Sequence, residues 1–261
     1  MFTTTFAQVK GGIVSDRDSR LQRVSQAAAR RIEVDPERIV MWVNGFVERH
    51  GELTWAWTGT SSASTGTSLV LSAADGATAI LETFVPRSSS GSSGGSSAAS
   101  TPGGLDMLAG WAEPPNRLAL VLVRRGGYAV GRGEGPTLVS HKVGTRYVQS
   151  RTAAGGWSQQ RFARRRKNQA DGLVGSVIEH ALRIVLASPS DALVVGGDKA
   201  LVRDVLADAR LSALAALPRR ELFDLPDPKL VVLERALRRA RAVRITLSEP
   251  DAAVVDFSTA V

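Results

Sequence analysis

The sequence predicts an α/β fold: a mixed sheet with flanking helices, plus a small N-terminal α+β domain. Three observations predict it. The Ser/Gly-rich stretch Arg87 to Gly104 divides the 261-residue chain as a flexible linker. Downstream of it, strand-like and helix-like segments alternate, the pattern of helices layered on a sheet. Upstream, one helical segment is followed by three short strand-like runs. The expected boundaries are 1–86 for the N-terminal domain, 87–104 for the linker, 105–248 for the second domain and 249–261 for a C-terminal tail.

In the N-terminal block, Arg31–Asp35 reads as a short strand. Asp35-Pro36-Glu37 then starts a helix, with Asp as N-cap and Pro at the first helical position. Ile39, Val40, Val43, Phe46 and Val47 recur at helical spacing until Gly51 stops the run. Thr54–Thr58, Ser68–Ser72 and Thr78–Val85 read as strands, the last two joined by the hairpin signal Ala74-Asp75-Gly76. Trp42, Trp55 and Trp57 are assigned to the core or edge of this domain rather than to base stacking.

After the linker, Arg117–Val123 (RLALVLV) reads as a buried strand, and Tyr128–Arg132 and Thr137–Val143 extend it into a meander that Tyr147 and Val148 close. Gly131-Arg132-Gly133-Glu134-Gly135 is read as a hairpin turn, because a nucleotide-binding glycine loop would stand between a strand and a helix. A long helix follows. Phe162, Ala163, Ala170, Leu173, Val174, Val177, Ile178, Ala181, Leu182 and Val185 lie near one of its faces. Arg164–Gln169 contains no apolar residue, so the first turns are expected to project from the body while the C-terminal half packs. Ala192–Val195 is a strand. Val195-Gly196-Gly197-Asp198-Lys199 lacks the spacing of a phosphate loop and reads as a capped turn. A helix over Lys199–Ala209, a weak extended piece at Leu222–Leu225, a helix over Pro228–Arg241 and a last strand at Val243–Leu247 complete the chain.

Composition excludes several function classes. No run of apolar residues is long enough to span a membrane, and MFTTTFAQVK lacks the charged-then-apolar order of a signal peptide. A cytoplasmic monomer without membrane association is the expectation. The absence of cysteine removes disulfides and cysteine-ligated zinc. His50, His141 and His180 are far apart in sequence, so neither a metal nor any other cofactor is expected, and a Ser-His-Asp triad has few candidates. Glu179 and His180 read as a satisfied, partly exposed pair. Asp191, Asp204 and Asp208 form no metal-ligand pattern.

The charge distribution points elsewhere. The chain has 33 Lys and Arg against 25 Asp and Glu, a net of +8. Eight cations lie between Gly135 and Ala170, where there is no acid: Lys142, Arg146, Arg151, Arg161, Arg164, Arg165, Arg166 and Lys167. This one window therefore accounts for the whole excess. At its centre is GGWSQQRFARRR, Gly155 to Arg166. A concentrated basic stretch beside a glycine turn is suited to entering a polyanion.

That segment resembles the catalytic loop and following helix of class I eukaryotic and archaeal peptide-chain release factors. There a GGQ triplet precedes a basic R-F-A-R helix start. Arg161-Phe162-Ala163-Arg164 matches, whereas Trp157 and Ser158 interrupt the triplet. The displacement resembles Vms-type release factors, whose loop reads glycine-glycine-serine-glutamine, and the chain is similar to the actinobacterial Vms-like release factor family of peptidyl-tRNA hydrolases. Val34–Gly51, Leu122–Val130 and Lys142–Gln149 are further segments of likeness. The resemblance implies a release-factor middle-domain-like sheet. It also implies hydrolysis of the peptidyl-tRNA ester, with peptidyl-tRNA, ribosomal RNA and the large ribosomal subunit as partners. No segment corresponds to a decoding domain, nor to the ankyrin and zinc-finger additions of eukaryotic Vms-type proteins. The implied role is therefore rescue of stalled chains without a codon.

The resemblance makes Gln159 the water-positioning residue, with Gln160 as the other candidate and Gly155, Gly156 and Ser158 as the surrounding loop. A neutral glutamine is no general base, but its amide both accepts from and donates to a water. It can hold that water near the acyl carbon, and backbone N–H groups of the turn can face developing oxyanion charge. Arg151, Arg161, Arg164, Arg165, Arg166, Lys167, Arg146 and Lys142 are the expected RNA-binding residues. Two other classes stay open: a tRNA 3′-end endonuclease of the Vms type, and a non-catalytic ribosome-binding module.

Overall fold

Burial in the strand Arg117–Arg124 (β5) alternates between two helical layers. Leu118, Leu120 and Leu122 face one side and Ala119, Val121 and Val123 the other, all at most 1% exposed. A strand covered on both faces reads as a continuous apolar run, which is why RLALVLV was legible. The computed structural model describes residues 29–58, 68–84, 104–145 and 158–249, with the backbone alone for 57–58, 104–107, 158–163 and 165–166.

β5 is the centre of a five-stranded sheet. Gly127–Glu134 (β6) and Thr137–Thr145 (β7) follow it as an antiparallel meander. Ala192–Gly197 (β8) and Arg219–Leu222 (β9) lie parallel on its other side. The mixed α/β class is thus as predicted. The helix Ser158–His180, continued by a π-helical turn over Ala181–Val185, covers one face together with the helix Lys199–Leu206. The helix Leu230–Arg241 covers the opposite face.

The other sheet is antiparallel, in the order β1-β10-β4-β3-β2. Its strands are Arg30–Val34 (β1), Leu53–Thr58 (β2), Ser68–Ala73 (β3), Thr78–Glu82 (β4) and Val243–Ser248 (β10). In chain order the helices are Ile39–His50 (α1), Gly104–Ala112 (α2), Ser158–His180 (α3), Lys199–Leu206 (α4), Ser212–Ala215 (α5) and Leu230–Arg241 (α6). Ile39, Val43 and Phe46 of α1 and Leu108 and Trp111 of α2 pack on Leu69, Leu71, Leu81 and Ile245 of this sheet. Trp42 stacks on Phe46 at 5.4 Å and Trp55 packs against the same core, as expected, while the Trp57 side chain lies outside the described residues.

Several elements differ from the sequence expectation, each for a physical reason. Val243–Ser248, grouped by sequence with the second block, pairs between β1 and β4 of the first sheet. Pattern alone gives a strand's facing but not its partner, and partner choice here is a long-range event. Gly131 to Glu134 is not a turn but the second half of β6; the turn is Gly135-Pro136. A Cβ on Gly131 would lie 2.9 Å from Leu233 Cδ2, and one on Gly133 would lie 2.6 Å from Leu237 Cδ1. These glycines let α6 approach the sheet closely, a use of glycine that looks like turn chemistry in one dimension. α2 went unpredicted because it opens on Gly104, the end of the Ser/Gly-rich stretch, and carries Gly110 inside it, yet Leu108, Trp111 and Ala112 at helical spacing bury it. β9 begins three residues earlier than expected because its inward residues are Arg220 and Leu222, and a buried arginine breaks the apolar alternation. Asp35 caps no N–H with its side chain; its carbonyl instead accepts from Arg38 N at 2.9 Å in a 3-10 turn ahead of α1.

The turn at Gly196-Gly197-Asp198 is capped as predicted. Asp198 Oδ1 accepts from Ala200 N at 2.9 Å and Leu201 N at 3.4 Å. Gly197 has φ +98°, and a Cβ there would stand 2.0 Å from the Val123 carbonyl oxygen. Gly197→Ala is therefore expected to cost at least about 3 kcal/mol, from left-handed strain plus a backbone clash that no rotamer change relieves. A thermal or urea unfolding curve checks it.

Candidate functional site

The second sheet and α3 position the site. Leu173 and Val177 of α3 are fully buried against the sheet, and Ala170 and Val174 pack beside them. Towards its start the described side chains Arg164, Lys167 and Asn168 are exposed. The helix rises about 1.5 Å per residue, so Ser158 is carried roughly 18 Å beyond Ala170. The packed C-terminal half is as expected, and the side chains described nearer the start, Arg164, Lys167 and Asn168, are exposed.

Ser158, Gln159 and Gln160, expected in the loop ahead of a helix starting at Arg161, instead form the first turn of α3, and Arg161, Arg165 and Arg166 continue it; of these six the backbone is described. Gly155, Gly156, Arg146 and Arg151 lie outside the described residues. The first turn of a helix offers backbone N–H groups without intrahelical partners and a partial positive charge. Gln159 and Gln160 occupy successive helical positions, about 100° apart around the axis.

Lys142 is exposed on β7, opposite the buried Val130 in the register. Residues directly opposite share a face, so Lys142 belongs to the α3 side of the sheet. Among the described residues, Lys142, Arg164 and Lys167 form no ion pair with a carboxylate, in contrast to the paired Arg117, Arg210 and Arg239.

Close to Lys142, α3 ends in a group that the sequence did not connect with it. The His180 ring stacks on Tyr128 with centroids 5.4 Å apart and planes 23° apart. Arg183 Nη2 donates to His180 Nδ1 at 2.6 Å. Burial, then the nearby Arg183 and Lys142 cations, push the His180 pKa down. The spacing of His180 and Arg183, three apart on a helix, was a usable signal; the approach of Lys142 from another strand was not. Elsewhere, His50 pairs with Asp75 at 2.8 Å, and no three potential metal ligands group together among the described residues. No helix of the described residues is long and apolar enough to cross a membrane.

No curated protein matches the chain. Among solved structures it is similar to one described as the Vms1 mitochondrial localization core, at 11% identity over 85% of this chain and 92% of that one, with a TM-score of 0.34. A family model described as the Actinobacteria/chloroflexi VLRF1 release factor matches residues 116–246, half of the chain. The match starts at the strand β5 and so excludes Val34–Gly51, one of the segments of expected likeness; it contains the glycine-glutamine segment and the whole of α3. By that match, the chain belongs to the Actinobacteria/chloroflexi VLRF1 release factor family.

Proposed function

We propose that this protein hydrolyses the ester of peptidyl-tRNA held in stalled large ribosomal subunits, releasing the nascent chain. The observation that carries the reading is the position of Ser158-Gln159-Gln160 in the first turn of a helix whose far half is anchored and whose described near side chains are exposed, Arg164 and Lys167 among them. Membership of a release factor family supports it. A tip carried roughly 18 Å beyond the packed part of α3 suits a site deep within a larger RNA body.

The chemistry asks little of the protein. The Gln159 amide holds a water against the acyl carbon. The water oxygen bonds to that carbon, and the backbone N–H groups of the turn face the oxyanion that forms. The bond to the tRNA 3′ oxygen then breaks, and the water's proton reaches that oxygen by way of the terminal ribose. An activated ester reacts without a catalytic triad. The basic residues Lys142, Arg146, Arg151, Arg161, Arg164, Arg165, Arg166 and Lys167 hold RNA phosphates, the protein acts as a monomer in the cytoplasm, and no cofactor takes part.

The test is a release assay on peptidyl-tRNA bound to isolated large subunits, with the tRNA product sized. Hydrolysis frees the peptide and leaves the tRNA at full length with its terminal CCA. A shortened tRNA assigns the endonuclease, and binding without release assigns the non-catalytic module. Affinity for the subunit is also expected to fall steeply with salt. If about six cations meet phosphates, it drops by roughly 10³ over a few-fold rise in salt. A flat salt dependence would refute the RNA-facing helix.

A further inference from the structure

We propose that Lys142, His180 and Arg183 form a phosphodiester-binding site at the docked end of α3, distinct from the glycine-glutamine turn. The proposal rests on the reading of α3 as an RNA-facing element and adds a second, pH-responsive contact to it.

The π-helical turn carrying Arg183 lies against β6 and β7. This brings an exposed arginine to the strand that carries the exposed Lys142. His180 stacks on Tyr128, whose strand β6 pairs with β7. The bond from Arg183 Nη2 to His180 Nδ1, at 2.6 Å, requires a lone pair on Nδ1. That bond is the one a neutral ring with its proton on Nε2 makes. Glu179, the nearest acid on the helix, is exposed, and Arg210 of the adjoining 3-10 turn is bound to Asp208 at 2.9 Å. Two cations and a protonatable ring thus lie on the same side of the sheet, none of them ion-paired to a carboxylate among the described residues. Like charges gathered this way repel one another, and the arrangement gains most from an anion bound between them. A guanidinium fork and an ammonium are the groups that hold phosphate oxygens. π-helical turns also occur frequently at functional sites.

The anion changes the ring. Burial, Arg183 and Lys142 hold the His180 pKa down in the free protein. A bound phosphodiester carries one negative charge and offsets part of the two cations' effect, which favours protonation of the ring; a proton on Nδ1 releases the Arg183 Nη2 bond and leaves both the ring N–H and the guanidinium free to donate to the anion. Since binding consumes a proton, affinity rises as pH falls through the histidine range. Tyr128 from β6, Lys142 from β7, Arg183 from the π turn, and Glu179 with Arg210 behind it are the groups that set this response.

The test measures dissociation constants of the full chain for deacylated tRNA and, separately, for isolated large subunits, across salt and between about pH 8 and pH 6. The arm that responds identifies which RNA supplies the phosphate. Lys142→Ala with Arg183→Ala is expected to lower the salt slope by about two and affinity by about tenfold. Arg183→Lys retains most of the slope. Wild type is expected to bind about three- to tenfold more tightly at the acid end, the size of up to one unit of pKa change. His180→Gln loses that gain, its affinity changing by less than about twofold between pH 8 and pH 6. Both alanine positions are exposed, so the double variant keeps its fold, and an unchanged melting curve for His180→Gln separates titration from unfolding. An unaltered salt slope in the double variant, or an unaltered pH gain in His180→Gln, overturns the site. Neither measurement needs turnover, so a protein that binds in this way yet releases no peptide keeps the phosphate site and loses the hydrolase assignment.

Discussion

Gln159→Ala is expected to reduce peptide release from stalled peptidyl-tRNA–large-subunit complexes by about 10²-fold or more while leaving subunit affinity within about twofold. The size follows from its proposed work. Placing a water for attack and supporting developing charge are each worth a few kcal/mol of barrier, about 10²–10³ in rate. In the proposed reading, affinity rests on separate groups, the eight cations of the acid-free window, and so survives the substitution. Single-turnover release at saturating subunit, with binding measured in parallel, separates the two quantities. Gln160→Ala is expected to retain most of the release, since it stands about 100° further around the axis of the same helical turn. Full release by Gln159→Ala with loss in Gln160→Ala transfers the role to Gln160. Loss of binding in Gln159→Ala instead makes the turn an affinity element.

Arg220→Met is expected to destabilise the fold by about 3 kcal/mol. Arg220 is 5% exposed. Its Nη1 donates to three carbonyls at the end of α6: Arg239 at 3.1 Å, Ala240 at 2.7 Å and Ala242 at 2.7 Å. A helix ends with carbonyls that have no partner of their own, and the guanidinium supplies one. It also lies 5.2 Å above the Phe84 ring, an attraction of about 1 kcal/mol or more in a dry setting. Burial opposes all this and pushes the arginine pKa down to about 10, so it stays charged at neutral pH. Methionine fills similar space and relieves the desolvation, but it leaves the carbonyls unbonded at about 1–3 kcal/mol for each buried orphan. The unbonded carbonyls outweigh the relief. Around this point Arg239 binds Glu33 at 2.7 Å and Asp224 at 2.8 Å, and Arg241 binds Glu37 at 2.6 Å. Arg220 thus closes the end of α6 just where the chain passes into β10 and the other sheet. Urea unfolding checks the value; a midpoint unchanged from wild type would make the arginine dispensable.

How much of this was legible beforehand depended on distance along the chain. β5, β8, α1, α3 and α6 announce themselves through local periodicity, since the burial of each face repeats within the element. The capped turn at Asp198 was readable for the same reason. The glycines of β6 were misread because their purpose is contact with Leu233 and Leu237, about a hundred residues on. Arg220 was invisible as a core residue because its three acceptors lie 19 to 22 positions away.

The sequence by itself determined the mixed α/β class, the basic and acid-free window, and the glycine-glutamine segment that the release factor match encloses. All three are properties of contiguous residues: period, charge and motif. The tertiary structure alone decided that β10 completes the first sheet, that α6 rides on a glycine-lined strand, and that Tyr128 of β6 receives the His180 ring on the face that Lys142 shares. Each of these joins residues from separate elements, and such neighbours are fixed by packing and strand pairing across the fold, which no local pattern encodes.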